Sequence, residues 1–222
     1  MKNTIIVANW KMNPGNMAEA QELFDTVGKG VAGINGVEVV LCPPFTYLSS
    51  LKSQWANVAL GAQDCFWEDQ GAFTGEVSPR MLKELGCSYV ILGHSERAKY
   101  LGETEEMVQK KVAASLAAGL KVVLCVGESE ATPSDMPGLI VVYEPEWAIS
   151  TEGSGAADTK VVAARVAEMR GTLKTSPILY GGSVNSSNIA MFMEHGGAQG
   201  ALVGSSSLDA KEFIQLVKNA AA

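Results

Sequence analysis

VVLCVGESEATPSDMPGLIVVYE, residues 122–144, holds two short apolar runs and the chain that joins them. Residues 122–126 and 140–144 are valine-rich and near-continuous, as parallel strands covered on both faces are written. Parallel neighbours need a crossover, and only residues 127–139 are available for it. That stretch contains Pro133, Pro137 and Gly138 among small polar residues. Proline removes a backbone donor and clashes with the preceding turn, so no full helix fits. About a dozen residues is just enough for a bare parallel crossover. The spacing predicts a parallel α/β sheet in which one crossover has lost its helix.

Working outward, the same alternation recurs along the whole chain. Strands are predicted at 4–9, 37–42, 59–63, 89–93, 122–126, 140–144, 178–181 and 200–203. Between them lie stripes at helical spacing. Met17, Ala20, Leu23, Phe24, Val27 and Val31 form one, with Asn16 and Glu19 as a cap pair. Val108, Val112 and Leu116 form a second. Val162, Val166, Met169 and Leu173 form a third, and Phe213, Leu216, Val217 and Ala220 a fourth. Eight parallel strands with outer helices close most simply as a (β/α)8 barrel. A chain of 222 residues suits one such domain, 1–222.

Composition narrows the function. Hydrophobic residues make up 47% and charged ones 18%, which excludes a disordered chain. A formal charge of −7 with no basic stripe argues against a nucleic-acid partner. No apolar run approaches a membrane span, and the run before Asn9 is too short for a secretory signal. Cys42, Cys65, Cys87 and Cys125 form no C-x-x-C pair, and the histidines are only His94 and His195, so neither a zinc site nor any other metal is expected. Buried reduced thiols suit a cytoplasmic protein.

In such a barrel the strand ends carry the chemistry. Asn9-Trp10-Lys11 ends strand 1 and puts a cation at the mouth, although a lone lysine is most often a solvated surface group. Gly93-His94-Ser95-Glu96-Arg97 ends strand 4. His94 stands where a short helix can begin, and the N–H groups there disfavour an imidazolium. The ordinary reading is a packing histidine. Tyr143-Glu144-Pro145-Glu146-Trp147 ends strand 6, where Glu144 is a candidate general base. Pro145 and Trp147 open a small-residue segment written like a lid. Tyr180-Gly181-Gly182-Ser183 and Val203-Gly204-Ser205-Ser206 end strands 7 and 8. Paired small-residue turns there expose backbone N–H groups suited to a phosphate. Gly153-Ser154-Gly155 follows no strand and is no dinucleotide fingerprint.

Together these segments resemble the triosephosphate isomerase family along nearly the whole chain. The likeness rests on Ala8-Asn9-Trp10-Lys11-Met12-Asn13, Cys42-Pro43-Pro44-Phe45, Gly71-Ala72-Phe73-Thr74-Gly75-Glu76-Val77-Ser78 and Ile91-Leu92-Gly93-His94-Ser95-Glu96-Arg97. It continues in Leu124-Cys125-Val126-Gly127-Glu128, Tyr143-Glu144-Pro145, Tyr180-Gly181-Gly182-Ser183-Val184 and Leu202-Val203-Gly204. The resemblance implies a TIM barrel that interconverts dihydroxyacetone phosphate and glyceraldehyde 3-phosphate without a cofactor. It makes Glu144 the base, His94 a neutral electrophile and Lys11 the stabiliser of enediolate charge. Asn9 helps orient the oxygen, and Glu96 is a supporting acidic group. Ser183, Gly204 and Ser205 grip the phosphate through backbone N–H groups, joined by Ser150 on lid closure. Ile149 and Leu202 cover Glu144 with apolar surface. The loop 71–78, with Thr74 and Gly75, implies a homodimer in which Thr74 reaches the partner's site.

The chain departs from the family at Glu146, at Ser150, at the glycine-rich hinge Gly153-Ser154-Gly155, and at Ser205 in the phosphate turn. The hinge predicts a lid with higher open-state entropy. Two other readings stay open: another phosphate-handling barrel enzyme, and a catalytically impaired barrel that only binds a phosphate ligand. In the helix-free crossover, Met136 and Leu139 are expected to cover the apolar flank of strands 5 and 6.

Overall fold

A computed structural model describes residues 4–148 and 157–221. Eight parallel strands close into one barrel in chain order. They are β1 (Thr4–Asn9), β2 (Val37–Cys42), β3 (Val58–Ala62), β4 (Cys87–Leu92), β5 (Lys121–Val126), β6 (Leu139–Tyr143), β7 (Ile178–Tyr180) and β8 (Gly200–Val203). The ring is sealed where Ile5 of β1 registers with Gly200 of β8. Three predicted strands match to the residue and five differ by one or two at an end. The largest difference is at β4, which begins at Cys87. Its pairing with β3 shifts register between Leu60 and Gly61, an irregularity that alternation does not reveal.

The helices are α1 (Met17–Val31), α2 (Phe45–Leu48), α3 (Pro79–Glu84), α4 (Ser95–Leu101), α5 (Glu105–Ala117), α6 (Thr159–Met169), α7 (Ile189–Glu194) and α8 (Ala210–Ala221). The four long ones are those announced by apolar stripes. Asn16 caps α1 by accepting the Glu19 amide at 3.0 Å, as the sequence predicts. Leu173 lies beyond the end of α6, yet is fully buried. The barrel outside is covered by one apolar cluster, while its inside is filled by another. The inner set includes Ile5, Val7, Val40, Cys42, Tyr89, Ile91, Val123, Cys125, Val142, Leu179 and Leu202. Each fully buried aliphatic side chain contributes roughly 1.5–3 kcal/mol, so this two-sided burial holds the strands in register.

No helix stands between β5 and β6. The crossover is pinned instead by Asp135. Its carboxylate accepts the amides of Lys174, Thr175 and Ser176 at 2.8–2.9 Å, and both neighbouring hydroxyls. Met136 packs half-buried on the outer core, and Leu139 is buried as the first residue of β6. The expected cover is incomplete, however. Leu124 of β5 stays half-buried, and a cavity remains between the crossover, β5 and α5.

Candidate active site

A strand turns alternate side chains to the same face, so the inward residues of the barrel project a row to its mouth. Asn9 lies two beyond Val7, Gln63 two beyond Gly61, and Glu144 two beyond Val142. Gly181 lies two beyond Leu179, and Gly204 two beyond Leu202. His94 breaks the period by one residue. Gly93 accommodates this at φ +70, a conformation glycine adopts without a Cβ penalty. Asn9, Lys11, His94, Glu144, Leu202 and Gly204 then line one cavity with Gly181 and Gly182. Six predicted residues from four segments are thus brought together.

His94 caps α4. Its Nδ1 accepts the Glu96 amide at 3.2 Å. An N–H can donate only to a bare ring nitrogen, which leaves the proton of the neutral ring on Nε2. That Nε2 lies 3.3 Å from Glu144 Oε1. Glu144 is 3% exposed. Its Oε2 accepts from the Ser95 amide at 3.4 Å and the Ser95 hydroxyl at 3.3 Å. Burial pushes the Glu144 carboxyl above the ordinary glutamate range, against the opposing pull of His94, Ser95 and Lys11. A desolvated carboxylate of this kind is a stronger base than one in water.

Lys11 reaches the same space on a strained backbone, φ +52. Its amide donates to Asn9 Oδ1 at 3.0 Å, and its ammonium is paired with Glu96 Oε1. Sequence reading passed over the residue that fixes this geometry. Gln63 donates its side-chain amide to both Lys11 O and Cys42 O at 2.8 Å. Its place two residues beyond inward Gly61 was the available signal. Ser95, inside the Gly93–Arg97 motif, holds Glu144 through its amide and hydroxyl.

The phosphate-side residues are arranged less simply. Gly204 adjoins Lys11, for a Cβ added there would stand 3.9 Å from the ammonium nitrogen. Ser205 is exposed and opens a 3-10 turn, Ser205–Leu208. The Ser183 amide and hydroxyl both donate to Ala148 O, at 2.9 and 2.8 Å. The donor expected to hold phosphate is therefore engaged with the Ala148 carbonyl. Trp147 donates to Glu128 Oε2 at 2.7 Å, and Ala157 N donates to the Tyr180 hydroxyl at 3.2 Å. The residues on either side of 149–156 are thus tied to the barrel. Ile149, Ser150 and the hinge Gly153-Ser154-Gly155 lie outside the described residues, as does the side chain of Glu146.

Thr74 and Gly75 lie in an exposed loop rather than in the cavity. A turn from Glu76 N to Phe73 O and a Phe66–Phe73 contact at 4.6 Å shape that loop. Among the described residues, no group of His, Cys, Asp and Glu is placed to hold a metal, and no helix is long and apolar enough to cross a membrane.

Comparison with known proteins adds an independent finding. The family model described as triosephosphate isomerase matches residues 4–137 and 130–220. The two stretches meet within the helix-free crossover. The chain is similar to the triosephosphate isomerase of Herpetosiphon aurantiacus, 39% identical over 98% of this chain and 99% of that one. It is 39% identical to that of Dehalococcoides mccartyi (strain CBDB1), over 100% and 98%. With that of Thermoanaerobacter sp. (strain X514) it shares 41%, over 98% and 99%.

Proposed function

The chain belongs to the triosephosphate isomerase family, and from that premise we propose how its own residues divide the reaction. The activity is the family's, the interconversion of dihydroxyacetone phosphate and glyceraldehyde 3-phosphate. Glu144 takes a proton from one substrate carbon and returns it to the other. His94 donates its Nε2 proton to the carbonyl oxygen as the enediolate forms, and Lys11 balances the charge that develops. Asn9 orients the oxygen, and Glu96 supports Lys11 and His94. Ser183, Gly204 and Ser205 receive the phosphate with Ser150, and Ile149 and Leu202 exclude water. The observation that carries this reading is the shared cavity of Asn9, Lys11, His94 and Glu144.

Two contacts of the resting site must be exchanged for substrate, Glu144 with Ser95 and Ser183 with Ala148, while Lys11 keeps Glu96 and has two donors to spare. The phosphate competes for Ser183 with the carbonyl that begins the lid. Phosphate binding and lid movement are then one event. No cofactor takes part in this scheme. The proposal includes a homodimer through loop 71–78, a single domain over 1–222 and a cytoplasmic location. The free buried cysteines support that location.

A coupled assay on glyceraldehyde 3-phosphate tests the roles. Glu144→Asp and His94→Gln are each expected to lower kcat/KM by roughly 10²–10⁴-fold. Turnover indifferent to both would refute the assignment.

A further inference from the structure

Asn35-Gly36 is the one Asn-Gly pair in the chain. It lies in the turn that joins α1 to β2, at the opposite end of the barrel from the catalytic strand ends. Both residues are exposed. Gly36 has φ +79, and among the described residues only Lys11 is a non-glycine with positive φ. Asn35 therefore turns with a negative φ and Gly36 with a positive one, the type II pattern that glycine serves. A Cβ built on Gly36 would meet no heavy atom within 4 Å, so nothing shields its amide nitrogen.

What distinguishes Asn35 is that nothing holds it. Every other described asparagine has its side chain in a hydrogen bond, as a helix cap at Asn16 or as a tie between loops at Asn57. Among the described residues, neither the Asn35 side chain nor the Gly36 N–H has a hydrogen-bond partner. The frame around them is fixed. Asn57 donates to Val31 O at 2.9 Å, and Thr4 N donates to Gly36 O at 2.9 Å. An electrophilic side-chain carbonyl and an unengaged amide nitrogen thus stand next to each other in an open turn.

We infer that Asn35 is a site of self-modification, in which the folded chain converts this asparagine to aspartate and isoaspartate. The Gly36 nitrogen gives its proton to hydroxide and forms a bond to Asn35 Cγ. The bond from Cγ to the side-chain nitrogen breaks, and ammonia leaves. Water then opens the resulting succinimide. Opening at Cγ gives aspartate, and opening at the main-chain carbonyl gives isoaspartate, whose main chain runs through Cβ and Cγ and is one carbon longer. One water enters, one ammonia departs, and nothing is oxidised or reduced. Either product makes the chain one unit more negative than −7. The longer chain displaces Gly36 O from Thr4 N, at the first register pair of β1 and β2. The site is separate from the isomerase reaction and does not depend on the roles assigned there.

Incubation of the native full chain at mildly alkaline pH, beside the same chain unfolded in urea, tests the inference by peptide mass. Trypsin cuts after Lys29 and Lys52, and the peptide 30–52 holds Asn35 as its single asparagine and no glutamine. A gain of about 1 Da is expected in this peptide, oxygen having replaced NH. The native rate should be no more than about tenfold below the unfolded one, because the fold leaves the pair open. Asn35→Gln, at an exposed position, must close a larger ring and should slow the gain about tenfold or more. The isoaspartate form, separated by anion exchange, should have a lower Tm with kcat/KM unchanged. A gain appearing first in the peptides that carry Asn57 or Asn185, a native rate lower than that bound, or a gain unaffected by Asn35→Gln would overturn the site. A Tm equal to that of the parent would overturn the effect on β1 and β2.

Discussion

Glu144 is buried beside the His94 imidazole, a serine and a lysine, and burial dominates its titration. As the base it must be ionised. The acid limb of kcat/KM should therefore lie above the ordinary glutamate value of about 4.3, and a pH–rate profile checks this. The same shift sets a stability effect. A folded pKa raised above the unfolded one means that the fold holds its proton more tightly. The cost of ionisation appears as pH rises through the folded value. Glu144→Gln removes that cost. It should raise Tm relative to wild type at pH 7 more than at about pH 4, while cutting kcat/KM by roughly 10²–10⁴-fold. Gln63 shows what a sequence conceals at this scale. Its two 2.8 Å bonds join β3, the strained Lys11 and the end of β2, and no linear motif marks them. Gln63→Leu should lower kcat/KM about tenfold or more by misplacing Lys11. Steady-state kinetics beside a thermal melt separates this from simple destabilisation.

Elements were legible where a period repeats. The strands follow alternation, and α1, α5, α6 and α8 follow apolar stripes. Helices α2, α3, α4 and α7 span only four to seven residues, too few for a stripe to repeat. The missing crossover helix was legible because two prolines leave it no room. How the bare crossover is held was not, since Asp135 is bound by residues some 40 positions away. The Ser176 hydroxyl, together with the Thr175 and Ser176 amides, holds the Asp135 carboxyl well below the usual range. Its contribution to stability is present above the unfolded pKa and is lost as pH falls through the lower folded one. Asp135→Asn should therefore lower Tm at pH 7, with the deficit shrinking below about pH 4. At the lid, the Tyr180 hydroxyl that holds Ala157 passes close over Gly182. A Cβ on Gly182 would stand 2.0 Å from it. Gly182→Ala should displace that anchor at a cost of roughly 1–3 kcal/mol, readable as lower Tm and weaker phosphate-analogue binding.

At the scale of the molecule, Asn9, Lys11, His94 and Glu144 line one cavity, and several large apolar side chains nearby in the chain order are exposed. Met12, Phe45, Phe73 and Met81 are 92%, 38%, 42% and 49% exposed. Met12 and Phe45 follow β1 and β2 directly, whereas Phe73 and Met81 lie between β3 and β4. These four strands are consecutive neighbours in the barrel. The Tyr47 hydroxyl donates to Pro14 O at 2.8 Å and ties the first two loops together. Exposed apolar groups on neighbouring loops are characteristic of an association surface, and Phe73 lies in the loop that bears Thr74. Under the proposed dimer, two copies cover each other's patch, and Thr74 of the partner subunit supports the Asn9–Lys11 turn. Sedimentation should then show a species of about twice 23.4 kDa. Phe73→Asp places a carboxylate in that patch, and it should leave a species near 23.4 kDa with kcat/KM lower by about tenfold or more. Dilution of the wild type should lower specific activity in step with dissociation. Full activity in a 23.4 kDa species would show that the site does not require its partner.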